Sequence, residues 1–377
     1  MRISAMLPAI KPPGGTPVPQ ASKDYIRQRI VRDIRAKGRI SYRELLTTLS
    51  YDPDQGFYTK HLLIGNRAGR DHFTTRPLEF GPHYGWAFGR RFQRLFELAN
   101  FPAGKLDLVA LGDGTGEFFF DILQQLKRNI DLFPRLEPTS IELTERFARQ
   151  QKARLAPCGV KVINDSSLAI DRHLPKLTGI VYAHEMLDQF PVHKVSTLRG
   201  KLYEHYLTIT NDELREEIGP PADPLLAEYF AVTGPLPRDS SPRMVNLDAF
   251  RFLANLAKSL EQGLVFLIDY NRQSPKLHGI KYTRFGRHVA LEPETVDAAI
   301  GRDVTTDVDF AALKKIAGHF GLQVLFEVND YEFLEGTIAP SYKDVLGAPM
   351  RVLALGKTQG ADLGWGQLFH FAKRQFS

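Results

Sequence analysis

Leu106-Asp-Leu-Val-Ala-Leu-Gly-Asp-Gly-Thr-Gly-Glu-Phe-Phe-Phe120 decides the fold: an apolar run ends abruptly in three alternating glycines and passes into a second apolar segment. The first part reads as a buried strand, and the part from about Glu117 to Lys127 as a helix. Gly112, Gly114 and Gly116 remove the Cβ atoms that would hold a ligand away from the backbone. The following helix would aim the free N–H groups of its first turn at that ligand. A nucleotide-type cofactor site, with Asp113 inside its loop, is the expectation.

Spacing narrows the choice of cofactor. A dinucleotide fingerprint, G-x-G-x-x-G/A, would put its third small residue at position 117, which is Glu; the third glycine instead comes at 116. A carboxylate is a poor neighbour for a pyrophosphate. The tighter G-x-G-x-G form resembles the first motif of S-adenosylmethionine (SAM) methyltransferases, whose ligand presents an amino-acid end and no phosphate. After the helix, Pro138-Thr-Ser-Ile-Glu142 reads as a second strand ending in a carboxylate. At that place in an open α/β sheet a carboxylate accepts hydrogen bonds from ribose hydroxyls. The plainer alternative is a solvated Glu at the entry to the helix that Glu145-Arg146-Phe147 begin. A third strand, Val160–Asp165, ends in a residue that either meets the adenine amino group or simply turns the chain before Ser166.

The same alternation of strands and helices organises the rest. The first 22 residues, with Pro8, Pro12, Pro13, Gly14, Gly15, Pro17 and Pro19, read as a disordered lead without the apolar core of a secretory signal. They contain no acids and carry Arg2 and Lys11, which leaves an organelle-targeting reading open. Residues 23–100 form an N-terminal helical region: a helix from Asp24 to about Lys37 stopped by Gly38, a capping box at Ser41-Tyr-Arg-Glu44, then an aromatic-flanked turn over Tyr51–Tyr58. Residues 101–210 form the cofactor-binding core, with a fourth strand at Gly179–Glu185 and a hairpin over Val192–Ile209 broken at Arg199-Gly200-Lys201. Residues 211–262 hold a Pro-, Asp- and Glu-rich insertion around one short helix, then a helix near Leu247–Glu261, and form a substrate-recognition region. Residues 263–357 complete the sheet through Gly263–Tyr270, a helix near Phe310–Phe320, Leu322–Val328 and Arg351–Leu355; 358–377 form a tail. The fold class is α/β, a doubly wound Rossmann-like sheet with appendages.

Composition fits one large domain with an elaboration, or two domains, in 377 residues. The hydrophobic content of 43% is ordinary for a globular protein, and no run approaches the ~18 apolar residues of a membrane span, so a soluble protein is expected. The single cysteine, Cys158, excludes a disulfide framework and a cysteine-rich metal site, and fits a reducing compartment. The 11 histidines show no H-E-x-x-H spacing, so no metal is expected. A net charge of +6 permits an acidic partner, but the basic residues are dispersed and give no nucleic-acid signal.

A second constellation, His184-Glu185-Met-Leu-Asp188-Gln-Phe-Pro-Val-His193, follows the fourth strand directly, where ligands of such sheets bind. Glu185 and Asp188 are three apart, so in a helical turn they would share one face. Two carboxylates there would clamp a guanidinium and draw a proton toward the protein. The alternative is an acidic helix start favoured by the macrodipole.

From about Ile40 to Lys357 the chain resembles the MidA-like methyltransferases, a family that includes a mitochondrial complex I assembly factor acting on an arginine. Tyr51-Asp-Pro-Asp-Gln-Gly-Phe-Tyr58 matches its Y-D-P-x-x-G-Y-Y segment, and Phe73-Thr-Thr-Arg-Pro-Leu-Glu-Phe-Gly-Pro-His-Tyr-Gly85 resembles F-x-T-x-P-E…F-G with one residue inserted. Glu185–Val192 fits N-E-x-x-D-A-x-P-V; Ile268-Asp-Tyr270 and Asp303–Phe310 fit two later segments. Three departures stand out: His184 for Asn, Asp113 for Pro or Ala, and Asp307 for His.

The resemblance implies a class I SAM-methyltransferase sheet with SAM as cofactor. Gly112, Gly114 and Gly116 would cradle its methionine end, Glu142 its ribose and Asp165 its adenine, while Thr75 and Arg76 lie in a segment that would contact its carboxylate or an acidic partner. Asp113 would repel that carboxylate and favour the ammonium. Glu185 and Asp188 would orient the acceptor nitrogen, with His184 acting as a neutral hydrogen-bond partner; a protonated His184 would repel the sulfonium. The implied activity is methylation of a protein side chain, arginine first, in a protein client such as a respiratory-complex subunit. The setting would be a bacterial cytoplasm or a mitochondrial matrix. Two other readings stand beside it. One is a silent assembly factor, motivated by positions 113, 184 and 307. The other is a small-molecule methyltransferase, with the N-terminal region and the 211–246 insertion as its lid.

Overall fold

A computed structural model describes residues 15–65, 71–271, 279–284, 287–338 and 349–358. Residues 1–14 of the expected disordered lead and 359–377 of the expected tail lie outside the described residues.

The central sheet has seven strands: β1 Leu106–Leu111, β2 Leu136–Glu142, β3 Lys161–Asn164, β4 Leu177–His184, β5 Leu260–Asp269, β6 Gln323–Asn329 and β7 Arg351–Lys357. Their order across the sheet is β3-β2-β1-β4-β5-β7-β6. β7 runs antiparallel to both of its neighbours, while the pairs from β3 to β5 are parallel. The chain reverses its direction of travel across the sheet between β1 and β4, and the carboxyl ends of those two strands form the crevice where ligands bind in such folds.

Both faces of the sheet are buried, and the alternation of side chains builds two apolar layers. Leu108, Ala110, Tyr182 and Phe266 face one layer, with Phe88, Phe92, Phe119 and Ile122 from α4 Pro82–Leu98 and α5 Glu117–Leu126. Val109, Leu111, Val181 and Val265 face the other, with Phe252, Leu253 and Leu256 from the helix Leu247–Ser259 and Leu313 and Ile316 from Phe310–His319. A strand covered on both sides reads as a continuous apolar run, as Leu264–Ile268 does.

A third apolar layer joins the N-terminal region to two smaller sheets. It contains Ile26, Ile30 and Ile34 of α1 Gln20–Lys37, Leu45 and Leu49 of α2 Tyr42–Tyr51, and Leu207, Ile280 and Tyr282. α1 begins four residues before the expected Asp24, directly after Pro19, whose fixed φ starts the helix well. The Ser41–Glu44 capping box forms as expected. The 211–246 insertion holds more strand than expected. Besides the helix Leu225–Thr233 it contains two strands, Glu213–Gly219 and Arg243–Val245, which extend the hairpin of His193–Leu198 and Lys201–Thr210. Glu213–Gly219 is mostly exposed and charge-rich, so it lacks the apolar alternation that marks a strand in sequence. Among the described residues no helix is long and apolar enough to cross a membrane.

Candidate active site

The turn from β1 into α5 is built on three left-handed glycines: Gly112, Gly114 and Gly116 have φ of 64°, 57° and 76°. Side chains with a Cβ rarely adopt this region. Gly112 and Gly114 line a cavity of about 270 Å³ at the carboxyl ends of β1, β2 and β4. Gly116 does not line it. A Cβ there would lie 2.8 Å from Cγ of Gln151, so this glycine lets α5 meet α6 Glu145–Leu155. No motif or spacing marks Gln151, yet it clamps the loop. Its Oε1 accepts from Ser140 Oγ at 2.6 Å and its Nε2 donates to the Gly114 carbonyl at 2.9 Å.

Asp113 lines the cavity, but both of its carboxylate oxygens are engaged within the fold. Its Oδ2 accepts the Phe119 N–H at 3.1 Å, and its Oδ1 accepts the Tyr182 hydroxyl at 3.1 Å. The carboxylate therefore braces the first turn of α5, and burial raises its pKa to about 7.

Glu142 closes β2 at the cavity wall. Its Oε2 accepts the Gly114 N–H at 3.2 Å and its Oε1 accepts the Thr144 N–H at 2.8 Å. Burial raises its pKa to about 7, and the two N–H donors pull it back down. A carboxylate has about four acceptor sites, so two remain for ligand hydroxyls. Asp165 is placed differently from the adenine expectation. Its Oδ2 meets His173 Nε2 at 2.7 Å and Arg172 at 3.5 Å, which lowers its pKa, and only the following Ser166, Ser167 and Leu168 line the cavity.

The roof comes from the N-terminal region, with Tyr51 of α2, Tyr58, Ile64, Phe73, Thr75 and Leu78 over the glycine loop. Arg76, expected at the ligand, is turned away. Its side chain is 4% exposed and Nη1 lies 3.3 Å from Asp330 Oδ2, a carboxylate that is fully buried. The Arg76 backbone instead reaches the site, its N–H donating to Glu185 Oε1 at 3.1 Å.

Glu185 follows β4 with φ of 51°, a left-handed conformation unusual for a residue with a side chain. Its own N–H is tied to the Ile268 carbonyl at 2.9 Å. Residues held in this region tend to mark functional sites. Burial first raises the Glu185 pKa, to about 8; the Arg76 N–H opposes the rise and Asp269 adds to it. Next to it His184 is held neutral, its pKa lowered to about 3 by burial and then by Arg76. His184 Nδ1 is 3.5 Å from Glu185 Oε1, and Nε2 is 3.3 Å from the Tyr84 hydroxyl. No positive charge sits on the imidazole.

The left-handed Glu185 also overturns the helical pairing expected for Glu185 and Asp188. The chain continues as a 3₁₀ turn, Leu187–Gln189, so residues three apart do not share a helix face. The turn is braced by Asp269, whose Oδ2 accepts the N–H groups of Leu187 at 2.8 Å and Asp188 at 3.2 Å. Glu185, Gln189, Phe190 and Pro191 line the cavity; Asp188 does not. Its Oδ1 is buried with no hydrogen-bond partner among the described residues. Burial, then Asp269 and Asp303, push its pKa well above the usual carboxylate range. Asp307, the third sequence departure, is paired with Lys281 at 2.6 Å. Among the described residues no cluster could hold a metal ion.

Comparison with known proteins agrees with this geometry. Residues 87–328 match the model of the family described as "Putative S-adenosyl-L-methionine-dependent methyltransferase". The mitochondrial protein arginine methyltransferase NDUFAF7 of Rattus norvegicus is 24% identical over 318 residues, which cover 77% of this chain and 69% of the relative. The Drosophila melanogaster homolog is 22% identical over 343 residues, 82% of this chain and 75% of its own. A crystal structure from Burkholderia thailandensis with S-adenosyl-homocysteine bound shares the fold, with a TM-score of 0.72 at 19% identity over 94% of this chain and 98% of that one.

Proposed function

We propose that this chain, which belongs to that family of S-adenosyl-L-methionine-dependent methyltransferases, methylates a nitrogen of a protein side chain, with arginine as the acceptor. SAM is the cofactor, and when bound it supplies the methyl group on a sulfonium. The residues present fit it. Gly112 and Gly114 leave the loop bare at the cavity, and Glu142 has acceptor sites left over for ribose hydroxyls.

One observation carries the proposed acceptor: Glu185 is the carboxylate lining the cavity that holds one oxygen, Oε1, on the Arg76 N–H while Oε2 makes no hydrogen bond among the described residues. In this reading Glu185 Oε2 accepts an N–H of the acceptor and takes its proton as the nitrogen gains the methyl group. A raised pKa makes the carboxylate a better proton acceptor, and a cationic acceptor would favour its ionised form. Neutral His184 fills the neighbouring space without repelling a cation. The rest of the rate is positioning of the two reactants in the cavity, which can supply about 7–11 kcal/mol. The relatives named as protein arginine methyltransferases support the choice of acceptor.

The silent-factor reading loses its motive in this account. Asp113 is engaged within the loop, Asp307 is engaged with Lys281, and His184 is uncharged. The test is turnover of methyl-labelled SAM with a cell extract that supplies client proteins. Label recovered as methylarginine after protein hydrolysis supports the proposal. Label confined to small molecules, or none transferred, contradicts it.

A further inference from the structure

Gln189 stands four residues beyond Glu185, in the 3₁₀ turn that ends at the cavity. Its side-chain Nε2 donates to the main-chain carbonyl of Glu185 at 3.0 Å. A carbonyl oxygen only accepts, so the amide must present its NH₂ end there and the orientation of the group is settled by chemistry. The other end, Oε1, has no partner among the described residues, and the residue lines the cavity. The backbone of Gln189 is pinned as well, because the Tyr51 hydroxyl from α2 donates to its carbonyl at 3.1 Å. The result is a held acceptor atom on a residue that lines the same cavity as Glu185. Asp188, one residue earlier, is turned out of the cavity by the same turn.

We infer that Gln189 is a specificity-determining residue, its Oε1 receiving a second N–H of the acceptor beside the one received by Glu185. This rests on the acceptor-binding role proposed for Glu185. Two acceptor groups in one cavity, one carboxylate and one neutral amide, suit a planar group with several N–H donors on adjacent nitrogens. A hydroxyl acceptor offers a single O–H and leaves one of the two oxygens unmatched. A carboxylate acceptor would be repelled by Glu185.

The test uses the full-length protein loaded with S-adenosyl-homocysteine, and calorimetry with N-acetyl-arginine methylamide as the probe. The wild type is expected to bind the probe. Gln189→Leu is expected to bind it about 5–10-fold more weakly, the equivalent of one hydrogen bond, with S-adenosyl-homocysteine affinity unchanged. Gln189→Ala, which removes the amide without filling its place, is expected to show the same loss. Unchanged probe affinity in both variants, with loss in Glu185→Gln, overturns the role of Gln189 and leaves that of Glu185 standing. Unchanged affinity in Glu185→Gln, or no probe binding by the loaded wild type, overturns both. Loss of S-adenosyl-homocysteine binding in Gln189→Leu and Gln189→Ala alike would place the residue in the cofactor site and overturn the inference.

Discussion

Arg76 holds Glu185 with its backbone and Asp330 with its side chain: the N–H donates to Glu185 Oε1 at 3.1 Å, while the guanidinium lies 3.3 Å from Asp330 Oδ2. A buried ion pair thus anchors the segment that orients the carboxylate in the cavity. Asp330→Ala would leave the guanidinium buried without its anion, a loss of roughly 3–5 kcal/mol. Chemical denaturation should show that loss. An unaltered unfolding midpoint would mean the pair does not fix Arg76.

The raised pKa of Glu185 gives a pH dependence with a definite sign. A carboxylate acting as proton acceptor works when ionised, so kcat/KM should rise with pH and reach half its plateau near pH 8 in the free enzyme. Glu185→Gln should lower the rate about 10²–10⁴-fold and leave SAM affinity intact. A profile already flat below pH 7 would exclude Glu185 as the acceptor of the proton.

The two glycines on either side of Thr115 should fail in different ways. Gly114 faces the cavity, with φ of 57° and Ile64 Cδ1 at 3.3 Å from a built Cβ. Gly114→Arg should abolish SAM binding in calorimetry. Gly116→Ala puts a Cβ 2.8 Å from Gln151 Cγ at φ of 76°, so it should cost about 1–3 kcal/mol of stability. Its folded fraction should still bind SAM.

Asp188 should behave as a strained buried acid. Its carboxylate is disfavoured in the fold, so the native state holds a proton that the unfolded chain releases above the ordinary carboxylate range. The folded state binds more protons there, and stability falls as pH rises. Asp188→Asn removes that term. The variant should melt higher than wild type, by roughly 1–1.5 °C per kcal/mol gained, with the difference growing from pH 5 to pH 8. A difference that shrinks with rising pH would show that the acid is stabilised by ionising.

Much of the fold was legible because local pattern and burial agree. The run Leu106–Leu111, the glycines after it and the apolar helix from Glu117 each carry their own signal, and so do β4 and β5. Glu142 and Glu185 were legible as cavity-lining positions because one ends a strand and the other directly follows one at the crevice. What failed was orientation. The Arg76 side chain turns away to Asp330, and the Asp113 oxygens are taken by Tyr182 and the first turn of α5; Asp330 and Tyr182 lie far off in sequence. Asp165 is taken by His173 in the same manner. The exchange of Asp188 for Gln189 at the cavity follows from one left-handed residue, which no spacing rule for helices anticipates.

The most direct measurement compares wild type and Glu185→Gln at equal SAM occupancy, established by calorimetry, with methyl-labelled SAM and the same client extract. The account predicts labelled methylarginine with the wild type and at most about 1% of that yield with the variant. Equal yields from the two proteins would contradict it.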